Sequence, residues 1–182
     1  MGAKELKTII VLGMGRSGTS MVAGILHILG VNMGERLLGA HWSNPLGHFE
    51  DLDFVELNEE ILRAAGGSWD NPPAREAILA VAPRFYDRIR PLAEEERRRH
   101  EVWGWKDPRT SLTVELYLPH LENPYFIVCH RDWEAIARSL KRRDGMSIER
   151  GSGWPGCAMR GLRSSSGSTR ASEDWTFATR TS

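Results

Sequence analysis

Residues 8–20, TIIVLGMGRSGTS, constrain this chain more than any other stretch. Thr8–Leu12 is a short β-branched and apolar run ended by glycine, the pattern of a fully buried strand. From Thr19 to Leu29 the apolar residues Met21, Val22, Ile25, Leu26 and Leu29 recur at helical spacing, and Gly30 is placed to close that helix. Between strand and helix lies Gly13-Met14-Gly15-Arg16-Ser17-Gly18-Thr19-Ser20. Its glycines let the backbone wrap tightly, and Ser and Thr hydroxyls add donors. The backbone N–H groups and the positive end of the helix dipole then face one point, which makes a cradle for an anion. The plain alternative is a tight strand–helix turn that binds nothing.

Composition keeps the anion site local. At 182 residues the chain fits one domain with a proper core, and its 41% hydrophobic and 26% charged residues are ordinary for a globular protein. The formal net charge is zero, which gives no push toward nucleic acid, membrane surfaces or acidic substrates. Cys129 and Cys157 are too far apart to suggest a disulfide framework or a zinc site, and Cys129, in an apolar run, is expected to be a small buried hydrophobe. The N-terminus has no signal-peptide pattern, and Leu6 stands where a myristoylation context needs Ser or Thr. No segment reaches bilayer-spanning length. A cytoplasmic, reducing setting is the expectation.

Further along, Asn32–His48 reads as a loop and Phe49–Ala65 as an amphipathic helix. Pro72-Pro73 opens another helical region, interrupted near Pro83 and Pro91 and closing in EEERRRH, a solvated face whose charges cancel. Val102–Trp105 is a second strand, followed by the turn Lys106-Asp107-Pro108-Arg109. Ser111–Leu121 is a helix, Tyr125–Cys129 a third strand and Asp132–Arg143 a further helix. This order predicts an α/β fold: three layers, with a central parallel sheet flanked by helices. Residues 1–150 form that domain. From Gly151 the chain turns to Gly, Ser, Thr and Arg with a single Leu, no Ile and no Val, so residues 151–182 are expected to be a disordered or non-native tail, loosely packed at most by Trp154, Trp175 and Phe177. A shifted reading frame or an artificial terminus would account for so abrupt a break.

Three occupants compete for the glycine-rich turn. A nucleotide-kinase P-loop, G-x-x-x-x-G-K-[ST], fits Gly13 and Gly18 but puts Thr19 where the phosphate-binding lysine belongs. A dinucleotide fingerprint, G-x-G-x-x-G, fits Gly13, Gly15 and Gly18, but the stretch Val31–Arg36 shows no second strand ending in an acid. A turn carrying its cation inside the loop, at Arg16, suits a sulfuryl or phosphosulfate group, whose charge a fixed cation and hydroxyls stabilise without magnesium.

Here the chain resembles the sulfotransferases that use 3′-phosphoadenosine 5′-phosphosulfate (PAPS). Their loop, roughly [KR]-S-G-[TS]-[TS], is matched by Arg16-Ser17-Gly18-Thr19-Ser20. Their second motif, an arginine after a later strand and a serine eight positions on, is matched by Arg131 and Ser139. Lys106-Asp107-Pro108 looks like the K-D-P segment of tyrosylprotein sulfotransferases and related bacterial enzymes. Asn44-Pro45-Leu46-Gly47-His48-Phe49-Glu50 resembles the N-P-x-G-[HYF]-[FW]-E stretch of bacterial sulfotransferase-like proteins. The resemblance covers about Thr8 to Arg150; the family's C-terminal glycine-rich cofactor loop has no counterpart, so the domain reads as incomplete at that end.

The resemblance implies a three-layer P-loop-like fold and transfer of a sulfuryl group from PAPS, with no metal, to a hydroxyl or amine of a small-molecule, carbohydrate or peptide acceptor. Gly15, Arg16, Ser17, Gly18, Thr19 and Ser20 would hold the 5′-phosphosulfate; Arg131 and Ser139 would grip the 3′-phosphate. Arg16 and Lys106 would stabilise developing charge, and Glu50 is the first choice for general base with His48 the runner-up. The plain alternatives are a salt bridge for Lys106, a helix-start acid for Glu50 and an exposed loop arginine for Arg16. Asp107 and Arg109 are expected to order their turn. Trp42, Trp69, Trp103 and Trp105 read as core or lid residues, with Trp42 also placed to line an acceptor pocket. A P-loop-type small-molecule kinase and a catalytically silent nucleotide-binding fragment are the alternative functions.

Overall fold

The computed structural model of the chain describes residues 6–42 and 44–144. The tail expected from Gly151, with Cys157, Trp154, Trp175 and Phe177, and the N-terminal residues through Glu5 lie outside the described residues. Three strands, β1 (Lys7–Leu12), β2 (Val102–Lys106) and β3 (Pro124–Val128), form one parallel sheet in the order β2-β1-β3. Six helices accompany them among the described residues: α1 (Thr19–Ile28), α2 (Leu52–Ala64), α3 (Arg75–Val81), α4 (Tyr86–Arg99), α5 (Thr110–Tyr117) and α6 (Trp133–Asp144). The chain is therefore α/β with a parallel sheet, as the order of patterns predicts. Among the described residues, no helix is long and apolar enough to cross a membrane.

β1 is paired on both sides, with Ile9 opposite Gly104 of β2 and Tyr125 of β3. Successive side chains of a strand point to opposite faces, and a central parallel strand is buried on both, which is why its run is continuously apolar. Ile10 and Leu12 join Trp103 and Trp105 in the larger core, against Phe54 and Ile61 of α2, Ile78 of α3, Ile89 of α4 and Tyr117 of α5. Phe54 stacks on Trp105 with ring centroids 4.3 Å apart. Val11 faces the other way, into a smaller cluster with Val22, Ala23, Val31, Met33 and Cys129. Trp103, Trp105 and Cys129 are thus the core residues their surroundings in sequence suggest.

After α1, Gly30 takes a φ of 92° and the Val31 N–H donates back to the Leu26 carbonyl at 3.0 Å, closing the helix end. The chain then crosses to the outer edge of β2, where Asn32 makes a single parallel bridge with Trp103.

Several elements depart from their patterns. α2 starts at Leu52 rather than Phe49, because the Asp51 carboxylate accepts the Asp53 N–H at 2.8 Å and caps the helix there. Pro83 does interrupt, giving a short 3₁₀ turn at Ala82–Arg84, but Pro91 lies inside α4. Both Pro91 and Asp87 four residues earlier are exposed, so the carbonyl that proline leaves without an N–H partner faces water. On α1, Val22 and Ala23 are buried, whereas Met21, Ile25, Ile28 and Leu29 are half or more exposed. The charged run at the end of α4 is not wholly a solvated face: Arg98 and Arg99 pair with Glu95, but Glu96 turns inward and is buried.

Gly104 lets β1 and β2 meet, since a Cβ there would stand 1.8 Å from the Ile9 carbonyl oxygen. Gly104→Ala is expected to destabilise the fold by roughly 1–3 kcal/mol or more in urea denaturation. Burial pushes the Glu96 carboxyl above its ordinary value of 4.5. Folding therefore favours its protonated form, and the penalty of the ionised form sets in as pH rises above that value. Glu96→Gln is expected to raise the urea midpoint at about pH 7, with the gain shrinking toward about pH 4.

Candidate active site

The glycine-rich turn leaves β1 at Gly13, whose φ is 143°. A Cβ there would meet the Cys129 carbonyl at 2.7 Å and Ser17 Oγ at 2.8 Å, so the approach requires glycine. The Gly13 N–H donates to Ser111 Oγ at 3.0 Å, tying the turn to α5. Arg16 holds a left-handed φ of 70°, a conformation that side chains other than glycine seldom adopt and that recurs at ligand sites. Ser17 donates to the Met14 carbonyl through both its N–H, at 3.1 Å, and its hydroxyl, at 2.6 Å. Its hydroxyl is therefore engaged inside the turn, where it helps to fold it.

Gly18 stands at the N-cap of α1, which has no side-chain cap and no acid in its first turn. Among the described residues, no acceptor faces the backbone N–H groups of Gly15, Gly18, Thr19 or Ser20. A set of orphan donors at the positive end of a helix dipole is the backbone chemistry of an anion site.

Two further side chains arrive from the other edge of the sheet. Arg131, just past β3, donates through Nη1 to the Arg16 carbonyl at 2.9 Å. Ser139, buried on α6, accepts from Arg16 Nε at 2.9 Å. The loop arginine is thus held by a helix 123 residues away in sequence rather than left exposed.

Lys106 ends β2 and is 1% exposed. Its Nζ donates to Glu50 Oε1 at 2.5 Å and to Ser20 Oγ at 3.2 Å, so it links the loop before α2 to the first turn of α1. Burial pulls its pKa down, against the raising effect of the Glu50 charge and hydrogen bond. Glu50 lies in the extended residues before the Asp51 cap and is not a first-turn helix acid. His48 Nδ1 is 4.0 Å from the same Glu50 oxygen, and both side chains are largely buried.

Beneath this pair lies a network centred on Asn58, a residue with no signal in sequence. Its Nδ2 donates to Asp107 Oδ2 at 2.8 Å and Thr110 Oγ1 at 3.0 Å, while its Oδ1 accepts from Thr113 at 2.6 Å and Tyr117 at 2.9 Å. The amide is therefore fully satisfied. Asp107, completely buried, also accepts from the Arg109 backbone N–H and guanidinium, at 3.1 and 2.6 Å. Burial raises its pKa, with Arg109 opposing. Asp107 and Arg109 do order the turn, and the Asn58 network anchors that turn to α2 and α5.

These groups surround a cleft of about 200 Å³ lined by Gly15, Arg16, Thr19, Ser20, His48, Glu50 and Lys106, with Leu38, Trp69, Pro108 and others. Ser17, Gly18, Arg131 and Ser139 support the lining without being part of it. Trp69 belongs to the cleft, while Trp42 is exposed outside it. Among the described residues, no three His, Cys, Asp or Glu side chains gather as metal ligands. No family model, curated protein or solved structure matches the chain, so its function rests on the geometry of this site.

Removing one partner of a buried pair strands the other charge. Lys106→Met is expected to destabilise the protein by about 3–5 kcal/mol in urea denaturation. The double change Lys106→Met with Glu50→Gln is expected to recover most of that loss, since no buried charge is then left alone.

Proposed function

We propose that this chain is a sulfotransferase on a P-loop-like fold, moving a sulfuryl group from PAPS to a hydroxyl or amine of its acceptor. The observation that carries the proposal is the contact of Arg16 with Ser139 and Arg131, two motifs more than 110 residues apart meeting beside an uncapped helix N-terminus. Open backbone donors with Arg16 suit the 5′-phosphosulfate, and Arg131 with Ser139 suits the 3′-phosphate.

The competing occupants fit less well. The lysine that a kinase loop places after its last glycine is replaced by Thr19, and cationic charge comes instead from Arg16 and from Lys106 at the end of β2. In a dinucleotide fold the strand after the first helix pairs directly with the first strand. Here β1 is flanked by β2 and β3, and Asn32 touches only the outer edge of β2.

In the proposed reaction an acceptor oxygen or nitrogen bonds to sulfur as the sulfur–oxygen bond to the 5′-phosphate breaks. Glu50 takes the acceptor's proton, and Arg16 and Lys106 stabilise the charge released on the phosphate. Lys106 lies between Glu50 and Ser20, so a negative group on the turn competes with Glu50 for the ammonium and leaves the carboxylate freer to accept a proton.

Calorimetric titration with adenosine 3′,5′-bisphosphate tests the proposal. Binding is expected to be indifferent to magnesium and to weaken roughly 10- to 100-fold in Arg131→Ala, the worth of a charge-assisted contact. Absence of binding, or magnesium-dependent binding of ATP in its place, would overturn it.

A further inference from the structure

Away from the cleft, a hollow of about 380 Å³ lies between α2 and the start of α4, lined by Glu60, Arg63, Ala64, Arg84, Phe85 and Arg88. The helix α2 stands between the two. Its Glu59 accepts from Arg109 of the cleft at 3.1 Å, whereas Glu60, about 100° further round the helix, faces the hollow. Three helical elements each bring one guanidinium to it: α2 gives Arg63, the 3₁₀ turn Ala82–Arg84 gives Arg84, and α4 gives Arg88. Arg88 is fixed by a fork on Glu60, with Nη2 donating to Oε1 at 3.1 Å and Nη1 to Oε2. That fork uses two of the five N–H donors a guanidinium carries. Arg63 and Arg84 are exposed, and among the described residues neither has a carboxylate within ion-pair distance. Arginines on other faces are commonly matched, as Arg75 is to Glu115 and Arg97 to Glu122.

Three cations against one carboxylate leave the hollow with a surplus of two positive charges, on a chain whose net charge is zero. Water and salt weaken the repulsion among them without reversing it, whereas an anion placed between them reverses it. Charge and shape together select that anion. A dianion cancels the surplus, which a single carboxylate does not, and guanidinium forks match the oxygens of a phosphate in pairs. We propose that the hollow binds a phosphate dianion, free or carried as a monoester on a larger molecule, between Arg63, Arg84 and Arg88, with Glu60 positioning Arg88. This site stands independently of what the cleft transfers. The hydrogen bond from Arg88, then the charges of Arg88 and Arg63, hold the Glu60 carboxyl below its ordinary value of 4.5, with burial opposing. Glu60 therefore stays ionised while a phosphate monoester loses its second proton near about pH 6, and binding tightens as pH rises through that value.

Carbon-detected NMR of the arginine Nε–Cζ groups in the full chain tests the site, the signals being assigned by their loss in Arg63→Lys and Arg84→Lys. With inorganic phosphate at about pH 7.5, the Arg63 and Arg84 signals are expected to shift together and saturate at a concentration on the order of 1 mM, while those of Arg75 and Arg97 stay in place. In Arg84→Gln the Arg63 signal is expected to need at least about threefold more phosphate to saturate, and unmoved Arg75 and Arg97 signals report that the variant is folded. At about pH 5 the wild-type protein is expected to need several-fold more phosphate. The proposal is overturned if the Arg63 and Arg84 signals stay still while those of Arg16 and Arg131 move. It is equally overturned if every exposed arginine drifts without saturating, which is the behaviour of screening alone. A peptide carrying one phosphoserine distinguishes the source. Tighter binding than inorganic phosphate, with the same two signals moving, assigns the hollow to a phosphorylated segment, and equal or weaker binding assigns it to the free ion.

Discussion

A lysine ammonium shut away from water must recover its lost hydration from a partner, and for Lys106 that partner is Glu50 at 2.5 Å. The pair fixes more than two side chains. Glu50 belongs to the loop before α2, Lys106 to the end of β2, and Ser20, the other acceptor of Lys106, to the first turn of α1. A single ammonium therefore holds three separate pieces of chain around one cleft. The arrangement persists because the ground beneath it is equally well satisfied: the Asn58 amide uses both donors and both acceptor positions, and Asp107, directly after Lys106, cannot shift without stranding a buried carboxylate.

The parallel sheet explains why the cleft lies where it does. Parallel strands end on one edge, so the turn after β1, Lys106 at the end of β2 and Arg131 just past β3 emerge side by side, as ligand-binding groups do in open α/β sheets. With Gly13 approaching the Cys129 carbonyl and Arg131 reaching the Arg16 carbonyl, the turn is braced from the β3 side. From the β2 side it is braced by the bond of Gly13 to Ser111. Such bracing is what allows Arg16 to keep a left-handed backbone.

Some of this was legible along the chain and some was not. β1, β2 and β3 each begin or end within a residue or so of their apolar runs, because a buried strand needs a short run of β-branched and apolar residues whatever surrounds it. Local pattern failed where a residue's partner lies far away. Asn58, within Leu57-Asn58-Glu59-Glu60, looks like one more polar residue on a helix surface, and Glu96 hides in a run of six charged side chains. Met21 and Ile25 share the apolar spacing of Val22 and Leu26, yet face outward; spacing marks a stripe but not which part of it the sheet covers. Position in sequence favoured Trp42 over Trp69 as a pocket residue, yet the packing of the loops puts Trp69 in the cleft and Trp42 outside it.

The sequence by itself determined the α/β order, the strand–turn–helix of residues 8–20 and the kinds of group able to hold an anion, because turn geometry and strand burial are written into adjacent residues. The tertiary structure alone decided that Arg16 meets Ser139, that Glu50 is paired with Lys106 instead of starting a helix, and that the Ser17 hydroxyl is spent inside the turn. The first two contacts join residues 123 and 56 positions apart, and no local pattern encodes a bond that exists only once the strands lie side by side. The third spans only three residues, yet it forms in a turn that folds so tightly that a Cβ on Gly13 would stand 2.8 Å from the Ser17 hydroxyl.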